Sequence, residues 1–232
     1  VDFDAAEQKR ALGPGACRMY ARDYPVLFWL ATLLQEEVRI FDLGGSIGIT
    51  YHAFQKYLQY PQRMRWTVCD QPGVTQVGQE LSKVEPSAGL AFTTCFEDAD
   101  GADVLLVAGA LHYIERPLAV LLTALHKKPT HILLNKLPLS EGPDFVTLTR
   151  YPGGGIAPYH VFNRLAFIDS VSSQGYELVD NWSNPDVAMD IPFHPEKRIE
   201  SFSGLYFRSI GTCVGNRIRT CRNAVNGNSS SG

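Results

Sequence analysis

The chain has 232 residues, 45% of them apolar and 19% charged, with a formal charge of −3. That is enough material for one full hydrophobic core, and the balance excludes a disordered or fibrous chain. A mildly acidic sequence argues against a general nucleic-acid binder, which carries a basic face; the four arginines from Arg208 onward read as part of a solvated tail.

Residues 16–38 read as one or two helices, with Pro25 marking a break between them. Their apolar stretch "PVLFWLATLL" is too short to span a bilayer and has no charged leader, so no membrane insertion is expected. The sequence opens on Val1 rather than methionine, which leaves room for a missing upstream piece. Five cysteines (Cys17, Cys69, Cys95, Cys213 and Cys221) show no CxxC pair and no Cys/His spacing of a metal knuckle. No metal site is expected, and the pattern suits a reducing, cytoplasmic compartment.

Downstream, short apolar runs alternate with helical patterns. The runs are 38–43, 65–70, 90–96, 103–109, 131–137, 176–182 and 204–210, several apolar almost throughout, as in strands covered on both faces. Between them, Phe54, Tyr57 and Leu58 supply a helix face, and Leu118, Leu121, Leu122 and Leu125 recur at helical spacing behind Pro117. Val161, Leu165 and Ile168 give another stripe, stopped by Gly175. Segments 138–160 and 183–200 read as loops, and the helix-poor second one allows the last strand to run antiparallel. The expected architecture is a doubly wound, Rossmann-like α/β fold with right-handed crossovers. Residues 1–37 form a helical extension on the acceptor side, 38–212 the ligand-binding domain, and 213–232 a flexible tail.

In such a sheet the ligand crevice lies beyond the carboxyl ends of the strands, where "RIFDLGGSIG" places a glycine turn. A dinucleotide fingerprint GxGxxG needs a glycine where Leu43 stands. Present instead is Asp42-Leu43-Gly44-Gly45-Ser46-Ile47-Gly48. An acid inside the turn suits a ligand with positive charge and repels a pyrophosphate, which favours S-adenosylmethionine over a nicotinamide dinucleotide. Asp70, followed by Gln71, ends the second run at the distance where Rossmann-like folds put an acid on ribose hydroxyls, the favoured role, with which capping of the next helix is compatible. Glu97 and Asp98 at the third strand end are candidate acceptors for an adenine amino group; Phe96 is either core or an adenine platform. Gly109 and Ala110 at the fourth leave room for a flat ligand.

Taken in order, the glycine turn, "WTVCDQPGVTQVGQEL", "DVLLVAGALHYIERPLAVL", the upstream "YPVLFWL" and the downstream "YHVFNRLAFI…GYELVDNW" resemble a family of class I S-adenosylmethionine-dependent methyltransferases. That family is often associated with bacterial surface-polysaccharide or other secondary biosynthetic genes. The resemblance runs from about residue 20 to about residue 210. It implies a seven-stranded sheet with the seventh strand antiparallel, methionine contacts at Asp42, Gly44 and Gly48, and a ribose contact at Asp70. Family members commonly carry an acid-arginine pair where this chain has Asn135-Lys136, a glycine in place of Ser46 and a glutamate in place of Asp70.

Methyl transfer asks a protein to align the acceptor, exclude water and, for a hydroxyl acceptor, offer a base. His112, after the fourth strand, is the first candidate and His160 the second. Gly153 to Gly155 suggest a hinge for a lid over the acceptor, with Tyr113, Tyr159 and Lys136 as further pocket residues. The expected partner is a small polar molecule, a sugar or related metabolite methylated on a hydroxyl. An NAD(P)-dependent oxidoreductase and a non-catalytic binding module are the competing readings.

Overall fold

In the computed structural model, residues 17–84, 86–150 and 155–211 are described. Four apolar runs become strands β1 (Arg39–Leu43), β2 (Arg65–Cys69), β3 (Leu90–Thr93) and β4 (Val104–Ala108), joined in parallel to β5 (His131–Leu137). After an inserted segment come β9 (Tyr176–Asn184) and β10 (Phe202–Ser209), and the sheet order is β3-β2-β1-β4-β5-β10-β9. β10 is antiparallel to both neighbours, as expected of the last strand.

Side chains alternate across each strand, so both faces of the sheet are covered. On one face Phe41, Leu105, Val107, Ile132 and Leu134 pack with Leu118, Leu121 and Leu122 of α4 (Leu118–Thr123) and with Phe167 and Val171 of α5 (Arg164–Ser172). On the other, Ile40, Trp66, Val68, Val104 and Leu106 pack with Val26 and Leu30 of α1 (Tyr24–Leu33) and with Tyr51 and Phe54 of α2 (Ile49–Phe54). α3 (Pro72–Val84) sets Val74 and Val77 against Ile47. At roughly 25 cal/mol per Å² of buried apolar area, these two layers are the main favourable term holding the strand ends in register.

Four sequence expectations are corrected. Pro25 does not break a helix: it lies in the first turn of α1, where its missing N–H costs no bond. Tyr57 lies beyond α2 and is exposed. Val161 belongs to a strand, not to a helical stripe; Asn163 caps α5 by accepting from the Ala166 N–H at 2.8 Å, so the helix starts only there. Segment 138–160 is not simply a loop. It holds β6 (Leu139–Ser140), β7 (Phe145–Arg150) and β8 (Ile156–Asn163), a second sheet in the order β6-β8-β7. Of the expected hinge, Gly153 and Gly154 lie outside the described residues, as do the tail and residues 1–16. Among the described residues no helix is long and apolar enough to cross a membrane.

Candidate functional site

The turn after β1 is set by backbone conformation. Gly44, Ser46 and Gly48 all have positive φ, at 72°, 57° and 87°. Gly44 is irreplaceable on two counts: L residues rarely adopt its φ, and an added Cβ would lie 2.1 Å from the Ala110 Cβ. Its N–H donates to the Cys69 carbonyl at 2.7 Å, so the turn is pinned between the ends of β2 and β4. This is where the strand order reverses, since β1 lies between β2 and β4.

Asp42 lies directly beneath that turn: a Cβ on Gly45 would stand 2.5 Å from its Cγ. The carboxylate is fully buried. Oδ2 accepts from the Trp66 indole N–H at 3.1 Å, and Oδ1 has no hydrogen-bond partner. Burial lifts its pKa to about 7; the Trp66 bond and the charge of Lys136 pull the other way, and Asp70 adds a little to the rise. A half-satisfied buried carboxylate is costly unless a cation approaches it.

Asp70 is committed more deeply than the sequence suggests. Oδ2 accepts from the Ser46 N–H and Oδ1 from the Gln71 N–H, each at 2.8 Å. It therefore ties the glycine turn to the start of α3. Each oxygen keeps a second lone pair, so a ribose hydroxyl is not precluded. Burial raises its pKa, with the two backbone bonds opposing. Glu97 and Asp98 sit exposed on a short 3-10 turn, Phe96–Ala99. Asp98 accepts from the Thr93 hydroxyl, and Glu97 from the Cys95 thiol at 3.0 Å. Phe96 is core rather than platform: it is buried, edge-on to Phe41 at 5.8 Å.

At the end of β5, Lys136 also has positive φ, 56°, and its side chain runs across Gly109, whose added Cβ would come 3.2 Å from the Lys136 Cδ. The ammonium lies 3.7 Å from Asp23. This ion pair links the end of β5 to the segment before α1.

His112 and His160 are not brought together. His112 is buried in the 3-10 turn Leu111–Tyr113, with Tyr113 and Tyr159 rings each 4.2 Å away, and its Nδ1 has no partner. Desolvation drives its pKa down to about 3. His160 is the next residue along β8 and so faces the other way, against Phe162 at 4.1 Å and with Nε2 3.2 Å from Asp144.

The sequence marks Asn135 only as a departure from the resembled family's acid-arginine pair; it does not reveal that Asn135 is the central polar group on this side. Its Nδ2 donates to the Arg22 carbonyl at 3.0 Å, while Oδ1 accepts from the Trp182 indole N–H at 3.1 Å and the Asn184 amide at 2.9 Å. Arg22 itself pairs with Asp186 and stacks over Tyr20, and the Trp29 indole donates to Asp180 at 2.8 Å. The available signal was a lone amide within the apolar run "HILLNKL": a buried polar residue is the informative exception.

No family model and no curated protein matches the sequence. Solved structures do match it by shape. One is the 1,6-didemethyltoxoflavin-N1-methyltransferase of Burkholderia thailandensis, with bound 1,6-didemethyltoxoflavin and S-adenosylhomocysteine (TM-score 0.52, 18% identity, 82% of this chain and 78% of that one). Another is an S-adenosylmethionine-dependent methyltransferase from Aquifex aeolicus (TM-score 0.55, 13% identity, 90% and 100%). A third is a glycopeptide N-methyltransferase complexed with S-adenosyl-L-methionine (TM-score 0.53, 11% identity, 85% and 98%). At these identities the likeness shows the fold: the mostly parallel seven-stranded sheet with one antiparallel strand is that of these methyltransferases.

Proposed function

We propose that the chain is an S-adenosylmethionine-dependent methyltransferase acting on a small polar acceptor, a hydroxyl of a sugar or related metabolite. The observation that carries this reading is Asp42: a buried carboxylate with one oxygen unpartnered, held under the glycine turn at the crevice of a methyltransferase sheet. The chemistry fits a ligand bearing an ammonium near a nucleoside. Asp42, Gly44, Gly45, Ser46 and Gly48 would hold the amino-acid end, Asp70 and Gln71 the ribose, and Glu97, Asp98, Gly109 and Ala110 the base. When bound, the cofactor supplies the methyl group and a thioether leaving group.

The protein's share is positioning and proton handling. In this reading Lys136 and the Tyr20–Asp23 segment shut water out of one side of the crevice. Stacking between Tyr113 and Tyr159 fixes the plane of the His112 ring. With its pKa near 3 the imidazole is neutral at every working pH, free to accept a hydrogen bond from an acceptor hydroxyl. His160, facing Asp144 on the opposite side of β8, anchors the hairpin instead.

Two measurements test this. Calorimetry should show binding of S-adenosylhomocysteine and none of NAD(H) or NADP(H); the reverse pattern would favour an oxidoreductase. His112→Phe should lower methyl transfer about 10-fold, the worth of one orienting hydrogen bond, while leaving S-adenosylhomocysteine affinity unchanged. The wild-type rate should show no inflection from this histidine between pH 5 and 8, since its folded pKa lies well below that window. Equal rates in wild type and variant would reduce His112 to packing.

A further inference from the structure

The second sheet leaves one strand unprotected. β7 is its edge among the described residues, and its burial alternates: Val146, Leu148 and Arg150 face solvent, with Val146 63% and Leu148 69% exposed. Through the register of the hairpin, Val146 stands opposite His160, Leu148 opposite Pro158 and Arg150 opposite Ile156, itself 58% exposed. The outward face of β7–β8 is thus an apolar patch. The other face is occupied: Phe145, Tyr159 and Val161 pack with Val187, Met189, Ile199 and Phe202.

Edges of sheets are ordinarily blunted by shortness, charge, proline or bulges. The two edges of the main sheet follow that rule. β3 has only four residues, and β9 carries Glu177 and Asp180. β7 does not: "FVTLTR" has no proline, no internal charge and an unbroken register with β8.

Its flanking charges indicate what covers it. Asp144 immediately precedes the strand and Arg150 ends it, so the segment is acidic at one end and basic at the other. When such a strand meets its own copy antiparallel, with a twofold axis at Thr147, Asp144 falls opposite Arg150 of the second copy, and the pair occurs twice. The same register sets Val146 opposite Leu148 twice and Thr147 opposite Thr147, which keeps the exposed apolar side chains of both copies on one face. Asp144 already accepts from the Asn163 N–H and pairs with His160, yet its side chain is 51% exposed and each oxygen has a further lone pair. Arg150 is exposed and has no ion partner among the described residues.

We propose that β7 is a self-association edge, pairing antiparallel with β7 of a second copy about Thr147 so that Asp144 and Arg150 match across the axis and the two three-stranded sheets become one. The hairpin follows β5 by way of β6, and its Tyr159 packs on His112 at 4.2 Å, so such a dimer would join the two His112 neighbourhoods through one sheet. This inference is independent of the methyltransferase reading and survives its failure.

Sedimentation over a concentration series tests it. The wild-type chain should run at twice its monomer mass, with a dissociation constant that weakens as salt is raised. Leu148→Lys and Arg150→Glu, both exposed changes, should each leave a folded monomer with an unaltered circular dichroism spectrum. A mixture of Arg150→Glu with Asp144→Lys chains should re-form a heterodimer, because each charge then meets its opposite. Amide exchange in 145–150 should slow with protein concentration. A wild-type monomer up to its solubility limit, or a dimer indifferent to both single variants, overturns the proposal.

Discussion

S-adenosylhomocysteine affinity should fall about 10- to 100-fold in Asp42→Asn, while the folded chain becomes more stable than wild type above pH 7. The first effect is the loss of one charge-assisted contact, worth about 1.5–3 kcal/mol. Asparagine keeps an acceptor for the Trp66 indole, and its NH2 replaces an oxygen that had no partner, so one orphan is exchanged for another. The second effect follows from the direction of the pKa shift. Asp42 titrates near 7 in the folded chain and near 3.8 when unfolded, so between those values the folded state holds a proton the unfolded state has released. Its contribution is most favourable below pH 4 and declines as pH rises through that window, by an upper bound on the order of 4 kcal/mol. Asparagine cannot titrate. Urea melts at pH 5 and pH 8 should therefore show wild type losing ground to the variant as pH rises, and parallel curves would mean the carboxylate is not held in the strained state described. Ligand binding should release a proton near pH 6, visible as a buffer-dependent heat.

The second large effect is expected at Asn135→Ala. Removing this amide leaves the buried Asn184 amide and the part-buried Arg22 carbonyl and Trp182 indole N–H without this partner. A fully buried unsatisfied group costs about 1–3 kcal/mol and a part-buried one less, so a loss of about 2–4 kcal/mol is expected. The damage should be directional. The segment carrying Arg22 and Asp23 loses its tether, so trypsin cleavage at Arg22 should accelerate well before global unfolding. A stability loss under 1 kcal/mol, with unchanged proteolysis, would show that Trp29–Asp180 and Arg22–Asp186 hold that segment unaided.

Much of the sheet was legible because its strands are short runs apolar on both faces, a pattern parallel sheets require. The position of the glycine turn followed from spacing alone. The β7–β8 hairpin was not legible. "FVTLTR" alternates over only six residues, Pro143 and Pro158 argue locally against strands, and Val161 happens to fall at helical spacing from Leu165 and Ile168. Asp70's bond to the Ser46 N–H depends on a left-handed backbone at a serine, a conformation local pattern does not signal. Likewise, Asn135 acquires its meaning only when residues 22, 182 and 184 arrive from distant parts of the chain. Long-range hydrogen bonding, rather than periodicity, is what sequence reading left out.

The placement of β10 between β5 and β9 has a consequence for how the molecule comes into being. Among the described residues the last strand in chain order is not the outermost but a wedge, and β9 has no neighbour in the sheet until that wedge arrives. Until synthesis passes Ser209, the flank of β5 is bare and sticky, and the amide of Asn135 waits for Trp182 and Asn184 to be carried in. A nascent chain stopped before Phe202 is thus short by two sheet strands rather than one. Docking of β10 is the step that brings β9 into the sheet.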